Sequence, residues 1–230
     1  GDRAAARAPA VEGAALEERH PLRGQDLLDG GAPALAVGGD AARARAARIA
    51  FEEYIDAIAV ATGRIERLTR AIEAEALTWR FAPVVAALQA MRGIQFVHAV
   101  TLIAELGDLT RFPSARQLMG YLGLVPRESS SGEQRRQGSI TKAGNSYARR
   151  ALIEAAWAYR HPARVTRIIA IRQTGLPNAA CDIAWRAQLR LSAKYRRLSA
   201  RHLKHNKIVV ALARELSGFV WAIGQSVKPQ

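Results

Sequence analysis

Apolar positions recur at helical spacing through most of this chain. Phe51, Tyr54, Ile55, Ile58, Ile65, Leu68 and Ile72 follow one another at intervals of three, four and seven, with charges between them. That is the stripe of an amphipathic helix. It begins to form from Arg43 and predicts one long helix over 49–82, ending at 77–81 before Pro83. Its length suits either a coiled-coil arm or the long member of a bundle. Pro83 opens the next helix, where a missing N–H costs nothing. Val84, Val85, Leu88 and Met91 then precede Arg92-Gly93-Ile94-Gln95, and Val97, Val100, Ile103 and Leu106 follow it. Helix, tight glycine turn, helix over about 83–107 is the pattern of a helix-hairpin-helix unit. The turn residues Gly93, Ile94 and Gln95 of such a unit offer backbone N–H groups to a phosphate. Turns of this kind read Gly-hydrophobic-Gly. Gln95 stands at the second glycine, so the turn relaxes or its phosphate contact weakens.

Ser114 is a natural N-cap for a helix over 115–122, with Gly123 just past its end. Residues 127–140 are rich in Ser and Arg and predict an exposed polar loop. A helix carrying Leu152, Ile153, Ala156, Trp157 and Tyr159 on its apolar face follows, until His161-Pro162 breaks it. Two more helical patterns cover about 177–200 and 207–225. No strand is expected after residue 48, so the expected fold class is mainly α, a long coiled-coil-like helix followed by a helical domain. Residues 1–48, rich in Ala, Gly, Pro and Arg, show no sustained period and read as disordered or loosely helical. The expected organisation is 1–48, then the linker helix 49–82, then one domain over 83–227.

Charge changes the picture. The 230 residues carry a net charge of +14, and 49% are hydrophobic. Residues 1–126 hold 14 Lys and Arg against 15 Asp and Glu, whereas 127–230 hold 20 against 5. A basic excess confined to one region is the footprint of a polyanion partner, DNA or RNA. Its densest part is Lys194, Arg196, Arg197, Arg201, His202, Lys204, His205 and Lys207. The single Cys181 excludes an internal disulfide and a cysteine-based zinc site. The apolar stretch 208–220 is interrupted by Arg214 and Glu215, which reads as a packed helix rather than a membrane span. The start of the chain lacks the apolar region of a signal peptide. The five His are scattered, and Asp26, Asp29 and Asp40 lie in Gly-rich surroundings, so no metal site is expected within this chain.

Ser129, Ser130 and Ser131 precede Gly132, with Arg127, Arg135, Arg136 and Lys142 close in sequence. By residues alone this is a flexible polar loop, although a serine attacking a phosphodiester would need just such neighbouring cations. Read together with RGIQ, AELGDLTRF, GYLGLVP, GSITKAGN, RRAL and EAAWAYR, the stretch 91–160 closely resembles the C-terminal serine domain of the IS-one-ten family of insertion-sequence transposases, the bridge-RNA-guided recombinases. FEEYIDAI upstream, with DIAWRAQLRL and ARELSGFVWAI downstream, extends the resemblance over about 49–227.

The resemblance implies DNA transposition. Ser131, immediately before the glycine, matches the family's nucleophile, which forms a phosphoserine link to DNA. Arg127, Arg135, Arg136 and Lys142 would stabilise the charge. From the residues themselves, Ser129 and Ser130 are phosphate contacts or simple neighbours, and Gly132 lets the backbone approach a phosphate. Asn145, first a helix cap, opens a helix start at which Arg149 and Arg150 could grip nucleic acid beside the basic cluster. The resemblance also implies a structured guide RNA, a homo-oligomer (dimer or tetramer) and a nucleoid-associated cytoplasmic location. The family's linker helix supports oligomerisation. Its active site is composite, completed by an N-terminal RuvC-like domain whose DEDD carboxylates hold Mg²⁺. That domain is not found in this sequence, so the chain alone is expected to bind DNA without cleaving it. The rival readings are a truncated transposase that only binds or oligomerises, and a helix-hairpin-helix repair or recombination accessory protein.

Overall fold

The helices form where the apolar period runs uninterrupted, and they stop at capping residues. A computed structural model describes residues 36–131 and 134–229. The expectation of disorder over 1–48 falls largely outside them, and Asp26 and Asp29 fall wholly outside. The elements in order are α1 (Ala36–Thr78), α2 (Ala82–Leu88), α3 (Phe96–Leu106), α4 (Ala115–Tyr121), β1 (Pro126–Ser131), β2 (Gln134–Ile140), α5 (Ser146–Ala156), α6 (Arg167–Gln173), α7 (Asn178–Ser199) and α8 (His205–Ser226). Short 3-10 turns at Leu109–Arg111 and Trp157–Arg160 complete the set. The fold is mainly α. Ser114 caps α4 by accepting from the Gln117 amide, and Asn145 caps α5 by accepting from Ala148.

The chain divides into two units, residues 1–60 and 61–230. In the first, the described part of α1 exposes Phe51, Tyr54 and Ile55, and Arg48 pairs with Glu52 one turn on at 3.7 Å. In the second, Ile65, Leu68 and Ile72 are exposed as well.

The core of the second unit is built around α8. Ile208, Val209, Leu212, Leu216, Val220 and Ile223 are buried where α8 meets α4, α5 and α7. Each such side chain contributes roughly 1.5–3 kcal/mol on leaving water. α8 is long and apolar enough to cross a bilayer by composition, yet this apolar face is buried in the protein, as for a core helix. Leu102, Ile103 and Leu106 of α3 pack towards α2 and α5. Trp221 Nε1 donates to the Phe112 carbonyl at 2.7 Å and Gln225 Nε2 to that of Leu109 at 3.1 Å, tying α8 to residues 109–112.

A charged cluster joins α7 to α8. Glu215 accepts from Arg190 Nε at 2.9 Å and Lys194 Nζ at 2.6 Å. Burial by itself would raise the Glu215 carboxyl, but hydrogen bonds from Lys194 and Arg190 and their charges outweigh it and hold the group below its ordinary 4.5. A depressed carboxyl contributes stability that is present above its unfolded pKa and lost as pH falls through the folded one. Glu215→Gln should therefore lower stability by about 1–3 kcal/mol at pH 7. Urea midpoints should show the gap between variant and parent closing below pH 4.5. A gap independent of pH would contradict the ion-pair account.

The expected loop over 127–140 is instead an antiparallel β-hairpin, which also corrects the expectation of no strand after residue 48. Ser131 pairs with Gln134, Ser130 with Arg135, Ser129 with Arg136 and Glu128 with Gln137, and a bulge lies between Pro126 and Glu128. The pairing continues below the strands, where the Thr141 amide donates to Val125 and that of Lys142 to Gly123. A ribbon held by backbone bonds on a fixed root needs no alternation of apolar side chains, so the period-2 signal is missing.

Candidate nucleic-acid site

The serine hairpin stands on a rigid root. Leu122 and Leu124 are buried beneath it, and half-buried Ile140 packs on the core. Gly123 (φ 64) and Gly144 (φ 86) hold the left-handed backbone there. A Cβ on Gly144 would fall on the Tyr121 carbonyl oxygen, and one on Gly123 on that of Ala143. The end of α4 and the segment before α5 thus touch backbone to backbone, which only glycine permits.

Between the hairpin's foot and the α7–α8 pair lies an open groove of about 720 Å³. Pro126, Ser139 and Ile140 line one side, and Asn206, Lys207 and Arg214 line the other. Lys194 reaches the groove as well, but its Nζ is engaged by Glu215 and by the Ala211 carbonyl at 3.3 Å. Lys207 and Arg214 are therefore the groove's cations without an ion pair among the described residues. Arg196 and Arg197 in the last turn of α7, with Arg201 and Lys204 on the connection, are exposed beside them in the chain. The connection is pinned by Tyr195, whose hydroxyl meets His205 Nδ1 at 2.9 Å with the two rings stacked. His202 there holds φ 55. The fold thus brings Lys207 of the sequence's basic cluster against the foot of the serine hairpin.

Other expected site residues carry structural bonds. Asn145 caps α5 and donates through Nδ2 to Glu105 at 2.6 Å. Arg149 Nη1 donates to the Leu122 carbonyl at 3.0 Å and the Ala143 carbonyl at 3.4 Å, stapling the hairpin root. Arg150 pairs with Glu154 at 2.8 Å, and that hydrogen bond holds the Glu154 carboxyl low. Lys142 is exposed, with φ 57. Arg127 Nη2 donates to the Thr141 carbonyl at 3.3 Å across the base of the ribbon. Ser129, Ser130, Ser131, Arg135 and Arg136 take their places by strand register alone. Gly132 lies outside the described residues.

The turn between α2 and α3 is held from behind. Gly93 abuts the Ala155 carbonyl, the Ile94 amide donates to Met91, and Arg172 and Gln173 of α6 donate to the Ile94 and Ala90 carbonyls. Gln95 is exposed at the start of α3. Burial and the neighbouring Asp182 push the Cys181 thiol up, which disfavours a reactive thiolate. Among the described residues no three His, Cys, Asp or Glu side chains gather as metal ligands. The described side chains therefore offer no donor set that fits Mg²⁺.

Nothing in the sequence marks Arg214 and Asn206 as lining this groove. Arg214 reads along the sequence only as a charge interrupting an apolar helix. Its place about two turns from Lys207 on one face of α8 is the signal that joins them.

Residues 85–168 match the family described as Transposase IS116/IS110/IS902 family. The chain is 50% identical over 150 residues to the putative transposase y4qE of Sinorhizobium fredii, covering 65% of this chain and 38% of that protein. It is 39% identical over 108 residues to a probable family 20 transposase of Pseudomonas aeruginosa, covering 47% and 31%. With the transposase for insertion sequence element IS1533 of Leptospira borgpetersenii it shares 25% over 155 residues, covering 67% and 45%. The chain spans less than half the length of each of these relatives.

Proposed function

We propose, from the match of residues 85–168 to the Transposase IS116/IS110/IS902 family, that the chain acts in DNA transposition, binding DNA along the groove beneath the β1–β2 hairpin and offering Ser131 to a phosphodiester. The observation that carries this reading is the groove itself. It sets two cations, Lys207 and Arg214, against the foot of the ribbon on which Ser131 ends β1. A duplex phosphate backbone is drawn to such a lane by charge, and the hairpin rises from its edge.

In the proposed step the Ser131 Oγ–P bond forms as the bond from phosphorus to the departing sugar oxygen breaks. The serine proton leaves to a base, and the departing oxygen takes one up. Charge building on the non-bridging oxygens is met by Arg127, Arg135, Arg136 and Lys142, whose positively charged donors act most strongly where water is excluded. The carboxylates that would hold Mg²⁺ by resemblance lie outside the described residues. A structured guide RNA is the second partner in this reading. Assembly runs through the exposed stripe of α1.

Two experiments test these parts. Mixed with a full-length relative, labelled DNA and Mg²⁺, the chain should yield a covalent adduct on denaturing gels that Ser131→Ala abolishes. An adduct that survives Ser131→Ala but not Ser130→Ala would move the nucleophile to the neighbouring serine. In sedimentation, the chain should run as a dimer or larger, and Ile65→Asp with Ile72→Asp should shift it to monomer. A parent chain that stays monomeric at high concentration would make α1 an ordinary helix.

A further inference from the structure

Next to the hairpin root, where Tyr121 ends α4, a cation is laid on rings. The Arg111 guanidinium carbon sits 4.6 Å from the centroid of Phe112 and 5.0 Å from that of Tyr121. The two rings are 5.3 Å apart and tilted by 59°. Phe112 forms the floor, buried and fixed through its carbonyl by Trp221 Nε1. Tyr121 is 40% exposed, and its carbonyl receives Gly144 at the hairpin root. Arg111 itself is exposed, and no carboxylate pairs with it among the described residues. The nearby Asp108 carboxylate is held low by accepting from the Thr110 hydroxyl at 2.7 Å and its amide at 2.8 Å, so it is engaged on the chain.

A guanidinium drawn over two aromatic rings and left exposed keeps two features for a ligand: a planar face and a fork of N–H donors at its edge. An unpaired nucleobase stacks on such a plane, and the phosphate beside that base meets the fork. A paired duplex presents no free base face and gains only the phosphate contact. Resting on the nucleic-acid reading above, we propose that Arg111, Phe112 and Tyr121 form a stacking platform for one unpaired base of the substrate. Because Tyr121 meets Gly144 backbone to backbone, a base on this platform stands at a fixed distance from the root of the serine ribbon. The platform thus selects substrate that is locally unpaired beside the root of the hairpin that carries Ser131.

The test uses the full chain with two oligonucleotides, a perfect duplex and a duplex with a short unpaired gap bearing 2-aminopurine. The parent should quench the 2-aminopurine. Arg111→Lys keeps the charge and loses the plane. It should weaken gapped-DNA binding about 5- to 10-fold and relieve the quenching, with duplex binding within about twofold. Tyr121→Leu should do the same, and Tyr121→Phe should behave as the parent. If Tyr121→Leu fails to fold by circular dichroism, exposed Arg111→Lys carries the test. Equal losses on gapped and paired DNA would reduce Arg111 to a phosphate contact and overturn the platform, as would no loss on either. A parent chain that binds neither oligonucleotide would instead overturn the nucleic-acid reading beneath it.

Discussion

Gly144→Ala should destabilise the chain by at least about 3 kcal/mol, and Gly123→Ala by a similar amount. Two terms add at each site. The left-handed backbone at φ 86 and φ 64 costs an L-residue roughly 1–2 kcal/mol. The new Cβ then falls on a carbonyl oxygen of the facing backbone, that of Tyr121 or Ala143, and no rotamer can relieve it. The strands must separate at their root, and with them the bonds from Thr141 to Val125 and from Lys142 to Gly123. Gly120 supplies the contrast. It lies in α4 with open space around it and ordinary φ, so Gly120→Ala should be neutral or stabilise by up to about 1 kcal/mol. Denaturant midpoints of the three variants measure this directly. A Gly144→Ala midpoint near the parent's would mean that the hairpin is not rooted as described.

The second large effect is on binding. Affinity for duplex DNA should fall steeply with salt, because each neutralised phosphate releases counterions. Lys207→Gln with Arg214→Gln removes the two groove cations that no ion pair engages among the described residues. The log–log salt slope should shrink by about 2, and affinity near 0.15 M salt should drop roughly 10- to 100-fold. Arg150→Gln removes a charge already paired with Glu154, so it should change the slope much less. Fluorescence anisotropy over a salt series gives both numbers. An unchanged slope in the double variant would make the groove a solvated face.

Much of this fold is legible from periodicity. The apolar spacing foretells α1, α5, α7 and α8, and capping chemistry places α4 between Ser114 and Gly123. The hairpin escapes because its order comes from backbone pairing above a glycine root, and Ser and Arg side chains carry no period for that. The candidate site divides in the same way. Serines, arginines and the basic cluster are visible as composition, but the cations' commitments are not. Arg149 and Arg150 look as free as Lys207 along the sequence, and only packing hands the first to two carbonyls and the second to Glu154. The aromatic residues show the same limit. Tyr159, on the expected apolar face, is buried core, while Trp185 of α7 stands exposed.

In the proposed reading the hairpin offers Ser131 to a phosphate of DNA bound along the groove at its foot. The most direct measurement replaces Cys181, the chain's one cysteine, with Ala and places a single cysteine by Ser131→Cys. This chain is then mixed with DNA that carries a thiol tethered to one backbone phosphate, and disulfide cross-linking is followed on non-reducing gels. Cross-linking should be rapid at position 131, slow for a control cysteine at Ala41 on exposed α1, and suppressed both by high salt and by Lys207→Gln with Arg214→Gln. Binding without cross-linking at 131 above the Ala41 control would contradict it.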